Sequence, residues 1–129
     1  MATCVRIIAL ASLLVLSGCD AVAGGGGGSV HLLPEAIEYG QVTPLRLELS
    51  VNEGSVKRFT DVRCHYKAEK ATVFTLLEGK VESEAKDRMF VVFELPALSA
   101  ADGEYVEYYF DMKLDGRYKK RPVERVPLR

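Results

Sequence analysis

The stretch "YVEYYFDMKLDG", Tyr105 to Gly116, decides the fold class. Val106, Tyr108, Phe110, Met112 and Leu114 fall on one side of a two-residue repeat. Tyr105, Glu107, Tyr109, Asp111 and Lys113 fall on the other. Successive side chains of a strand point to opposite faces, so this alternation describes a β-strand with one buried face. Asp115-Gly116 then supplies residues that tolerate the positive φ angles of a tight hairpin. The chain is expected to return through "RYKKRPVERVPL" as the last strand.

The same period recurs upstream. In "PLRLELSV", Leu45, Leu47, Leu49 and Val51 alternate with Arg46, Glu48 and Ser50. In "DVRCHYKA", Val62, Cys64, Tyr66 and Ala68 alternate with Arg63, His65 and Lys67. "TVFTLLEG" reads as a shorter strand ending at Gly79. "RMFVVFEL" places Met89, Val91, Phe93 and Leu95 on one face, and Pro96 ends it. "VESEAKDR" is polar all round and reads as a loop or hairpin arm, and "ALSAADGE" as a short turn. Short strands with regular turn signals indicate an all-β protein, a single antiparallel β-sandwich of about seven strands.

The chain has 129 residues, 48% hydrophobic and 27% charged, with a formal net charge of −1. That is ordinary globular composition, and the near-balance of charge argues against a nucleic-acid partner. No internal repeat is present.

The first residues are of another kind. Arg6 precedes an apolar run from Ile7 to Leu16, too short for a bilayer core, which needs about 20 residues. A charged start, a short apolar run and small residues behind it describe a secretory signal peptide. Leu16-Ser17-Gly18-Cys19 resembles the lipobox of bacterial lipoprotein precursors. The resemblance implies that the Cys19 sulfur receives a diacylglyceryl group, that a peptidase cuts just before it, and that the new amine is acylated with a palmitate-class chain. The alternative is an ordinary secreted protein in which Cys19 is incidental. Residues 1–18 are then the signal peptide, residues 19–29 the lipidated cysteine with a flexible glycine-rich tether, and residues 30–129 the folded domain. Removing residues 1–18 takes away Arg6 and no acid, so the formal charge moves from −1 to −2. Gly24–Gly28 carries no side chain able to build a core, so deleting it is expected to leave the domain folded. No Gly-Lys-Ser/Thr follows the glycines, which excludes a phosphate loop. Asp20 resembles the inner-membrane retention signal of enteric lipoproteins. This favours the periplasmic face of the inner membrane in a Gram-negative cell, with the outer membrane as the alternative.

The run of about residues 45–122 is similar to the immunoglobulin-like and fibronectin-like modules of bacterial surface proteins. The likeness rests on Tyr66, Leu95-Pro96-Ala97, Asp102-Gly103, and Val106 through Tyr109, followed by the final hairpin. Asp102-Gly103-Glu104-Tyr105 also resembles a tyrosine corner, in which a phenol ties a strand to the preceding loop. The chain has no Trp and no cysteine pair of the antibody type, so the likeness implies the fold alone.

No residue pattern points to catalysis, to a cofactor or to a metal. Cys64 and His65 are neighbours on a strand and therefore diverge. Cys64 reads as a small core residue, buried and unreactive, and no CxxC, HExxH or Gly-x-Ser-x-Gly occurs. Two surface sets are candidates for contact. Tyr105, Glu107 and Tyr109 form a candidate binding face, either for a sugar or for a protein, against the plainer reading of cross-strand packing. Arg117, Lys119, Lys120 and Arg121 belong to a C-terminal run of six basic residues against one acid. They are candidates for contact with an anionic surface, against the preferred reading of an edge strand blunted by Lys, Arg and Pro.

Together these features imply a non-catalytic envelope lipoprotein, bound to the membrane by its lipid, whose sandwich binds a protein or assists assembly. A carbohydrate-binding module for cell-wall or exported polysaccharide is one alternative and needs the Tyr105/Tyr109 face open. A pilotin-like accessory of an envelope complex is another.

Overall fold

The computed structural model describes residues 26–129. Cys19 and residues 1–18, read above as a signal peptide, lie outside the described residues. Eight strands follow in order: β1 (Gly27–His31), β2 (Thr43–Val51), β3 (Phe59–Ala68), β4 (Thr75–Glu84), β5 (Arg88–Leu95), β6 (Tyr105–Leu114), β7 (Arg117–Lys120) and β8 (Glu124–Pro127). Single 3₁₀ turns at Val56–Arg58 and Ala100–Asp102 are the helical elements among the described residues.

The strands run antiparallel in the order β1-β2-β5-β4 on one side and β3-β6-β7 on the other, with β8 also pairing β6. With β1 to β6 read as strands A to F, and β7 with β8 as G, this is the ABED and CFG arrangement of the immunoglobulin constant type. The protein is an all-β, immunoglobulin-like sandwich.

The alternation seen in the sequence places the core. Leu45, Leu47, Leu49 and Val51 of β2 and Met89, Val91, Phe93 and Leu95 of β5 are buried. They face Cys64 of β3 and the Val106-to-Leu114 series of β6, which is buried throughout. Asp115 at φ 54° and Gly116 at φ 80° make the expected hairpin turn.

Four features depart from the sequence reading. The first strand begins at Gly27, so Gly27, Gly28 and Ser29 belong to the sheet and not to the tether. Gly27 is adapted to that place, because a Cβ on it would run into the Ser50 carbonyl oxygen. The strand expected to end at Gly79 runs on to Glu84 as a hairpin arm. Its first half pairs with β3 and its second half with β5, so β4 joins the two sheets. The final strand is split at Arg121–Val123, where Pro122 cannot donate to a ladder. Lastly, the phenol that ties down the loop before β6 belongs to Tyr39, which donates to the Gly103 carbonyl at 2.7 Å. Tyr105 does not play that part.

Candidate functional site

Registers β4–β3–β6–β7 assemble the outer face of the second sheet row by row. Glu78, Arg63, Asp111 and Lys120 form one row, and Leu76, His65 and Tyr109 the next. Lys67 and Glu107 pair in the row after that, with Arg125 of β8 opposite Glu107.

This face holds all three residues of the candidate binding set, and each is already engaged. The Arg125 guanidinium lies 4.0 Å over the Tyr105 ring. It also donates to Glu107 at 2.9 Å, while Lys67 sits 3.9 Å from the same carboxylate. Tyr109 is stacked by His65 at 4.6 Å between centroids, and the Lys120 ammonium lies 4.4 Å from its ring centre. His65 and Lys120 reach Tyr109 from the strands on its two sides, so neither tyrosine offers a bare ring to a sugar.

Asp111 is the anchor of the face. It is 3% exposed although its side chain is on the outer side. Its Oδ2 accepts from His65 Nε2 at 3.1 Å and from the Tyr118 hydroxyl at 2.9 Å. Its Oδ1 makes no hydrogen bond, and Arg63 Nε stands 3.5 Å away. The bond to Asp111 pushes the Tyr118 phenol above its ordinary value. A buried carboxylate paired to this degree fixes the positions of His65 and Tyr118.

Beside this ladder the β3–β4 corner exposes apolar side chains. Val73 is 69% exposed, Leu76 48% and Phe74 37%, and the Phe74 ring meets Tyr109 edge-on at 5.3 Å. Nothing in the period of "TVFTLLEG" marked them, because the corner precedes a strand whose faces change sheets.

The four basic candidates do not share one surface. Lys120 joins the outer face over Tyr109, whereas Arg121 turns to β1 and donates to both the carbonyl and the hydroxyl of Ser29 at 3.0 Å. Lys119 lies opposite buried Met112, and Arg117 opposite Leu114 at the turn.

Nucleophilic chemistry is not supported at Cys64. The thiol is buried, and that burial, with the charge of Asp111 adding to it, pushes its pKa up to about 12. His65 points to the opposite face. Among the described residues no three His, Cys, Asp or Glu side chains come together as a metal site, and no helix is long and apolar enough to cross a membrane. A surface depression of about 580 Å³ is lined by Glu35, Ala36, Glu38, Tyr39 and Arg129. Its lining offers no nucleophile with a base beside it.

No protein-family profile matches the chain, and no curated protein matches it. Among solved structures it is similar to the Lin-41 filamin domain, at 12% identity, 81% coverage of this chain, 97% of that one and a TM-score of 0.46. It is also similar to murine CRIg, at 14% identity, 80% and 98% coverage and a TM-score of 0.45.

Proposed function

We propose that this chain is a bacterial envelope lipoprotein, held to the membrane through acylated Cys19, whose sandwich is a non-catalytic protein-binding or assembly module. The carrying observation is the exposed Val73, Phe74 and Leu76 cluster set against the Tyr109 ladder. Exposed aromatic and apolar side chains with an Arg on the same face match the enrichment of protein interfaces in aromatic residues and Arg. The carbohydrate reading is less well supported, because His65, Lys120 and Arg125 occupy the tyrosine rings. The lipobox tetrapeptide supports the anchor, and Asp20 favours the inner membrane.

A photo-crosslinking residue at Leu76, compared with one at Val92 on the outer face of the other sheet, tests the binding surface in native membranes. The expected result is a discrete adduct from position 76 that Phe74→Arg abolishes. Adducts from position 92 alone, or none from either, overturn it. Lipid labelling tests the anchor separately: Cys19→Ser is expected to leave unprocessed precursor and no label. Normal cleavage of an unlabelled wild-type chain overturns that part.

A further inference from the structure

β1 is the first strand after the proposed anchor, and its sequence, Gly27-Gly28-Ser29-Val30-His31, gives it little apolar grip of its own. Val30 is half exposed, and the inward hold comes from His31 and Ser29. The His31 ring meets Tyr108 and Phe110 of the opposite sheet edge-on, at 5.4 and 4.8 Å between centroids. Its Nδ1 lies 2.8 Å from the Arg46 carbonyl and its Nε2 2.7 Å from the Tyr108 hydroxyl. A carbonyl only accepts, so the Nδ1–H donates to it, and Nε2 accepts from the phenol. The neutral ring is therefore satisfied on both sides.

A proton on Nε2 reverses that arrangement. The Tyr108 oxygen must accept, and its own hydrogen is turned into surroundings that exclude water, since Tyr108 is 0% exposed. The groups facing the ring are Tyr108 and Phe110 of β6, the Arg46 carbonyl of β2, and Arg121 from the segment after β7. Cys64 and Glu124 act on the Tyr108 phenol from behind. The Arg46 guanidinium is turned away to Glu82.

We propose that β1 is a proton-released latch: neutral His31 clasps it to β2 and β6, and protonated His31 lets it lift away. Burial disfavours the imidazolium most, the Arg46 carbonyl opposes that in part, and the Arg121 cation reinforces it. In a detached β1, His31 titrates at its ordinary value of about 6.5. The docked state is thus fully favoured above that pH and loses stability as pH falls through it toward the lower docked value. Release bares the edge of β2. It also adds the ten residues from Gly27 to Ala36, up to about 35 Å of extended chain, ahead of the bridge between Ile37 and Leu128. The latch stands on the clasp geometry; its effect on the domain's reach rests on Cys19 being the anchor.

Amide hydrogen exchange on the full chain at pH 7.5 and 5.5, corrected for intrinsic exchange chemistry, tests it. The β1 amides are expected to lose at least about tenfold more protection on acidification than those of Val106–Leu114. His31→Gln is expected to remove that difference. If it also leaves β1 undocked at pH 7.5, His31→Phe carries the test: an aromatic ring without a titratable nitrogen keeps the contact with Phe110 and is expected to hold β1 equally at both pH values. A wild-type β1 that tracks β6 at both pH values overturns the latch, as does the same response in both variants.

Discussion

The Phe93 ring occupies the space a side chain on Gly79 would need. A Cβ there would come within 2.6 Å of both Phe93 Cε2 and Val91 Cγ1. Gly79 is also where β4 leaves β3 for β5, so the missing side chain lets one strand serve two sheets. Phe93 is fully buried and Val91 nearly so, and neither can move aside freely. Gly79→Ala is therefore expected to destabilise the domain by about 1–3 kcal/mol, the usual cost of overpacking. A chemical-denaturation midpoint equal to wild type counts against this account of the crossing.

Tyr39 and Tyr105 separate in the same kind of measurement. Tyr39→Phe removes the bond to the Gly103 carbonyl and is expected to cost about 0.5–1.5 kcal/mol. Tyr105→Phe keeps the ring under Arg125 and is expected to stay within about 0.5 kcal/mol of wild type. The reverse order in thermal melts would return the tyrosine corner to Tyr105.

The glycine run is no longer expected to be dispensable throughout. Removing Gly24 to Gly28 brings Val22 and Ala23 to the places of Gly27 and Gly28 in β1, and the Ser50 carbonyl excludes a Cβ at the first of them. A lower melting temperature is expected, smaller than that of Phe110→Ala. Phe110 is 1% exposed and touches Phe93, Tyr108 and His31, so its truncation is expected to cost about 3–5 kcal/mol. Should the five-glycine deletion melt with the wild type, the start of β1 contributes nothing to the fold.

Cys64 is expected to resist thiol reagents. With the pKa pushed up to about 12, the thiolate is scarce at pH 7 to 9, and a reagent must wait for the domain to open. On a chain carrying Cys4→Ser and Cys19→Ser, modification should proceed at the rate of unfolding and accelerate with denaturant. A rate matching a free thiol in native buffer would falsify its burial.

For β2, β3, β5 and β6 the sequence by itself determined the strand and the face that turns inward. Leu45 to Val51, Met89 to Leu95 and Val106 to Leu114 alternate with a period that only a half-buried strand satisfies, and Asp115-Gly116 sets its own turn. The tetrapeptide Leu16-Ser17-Gly18-Cys19, on which the proposed anchor rests, is likewise a purely local pattern. Tertiary structure alone decided what lies beside each strand. Tyr39 is 64 residues from Gly103, His31 is 77 from Tyr108, and Arg121 is 92 from Ser29. A two-residue period assigns a side chain to a face and says nothing of the strand across from it. That neighbour is chosen when the whole sandwich closes and every buried polar group must find a partner. Hence Tyr105, Glu107 and Tyr109 were legible as outward, while the Arg125, His65 and Lys120 that cover them were not. Gly27 to Ser29 read as linker for the same reason. Their place in the sheet comes from the β2 edge, which accepts a backbone without side chains.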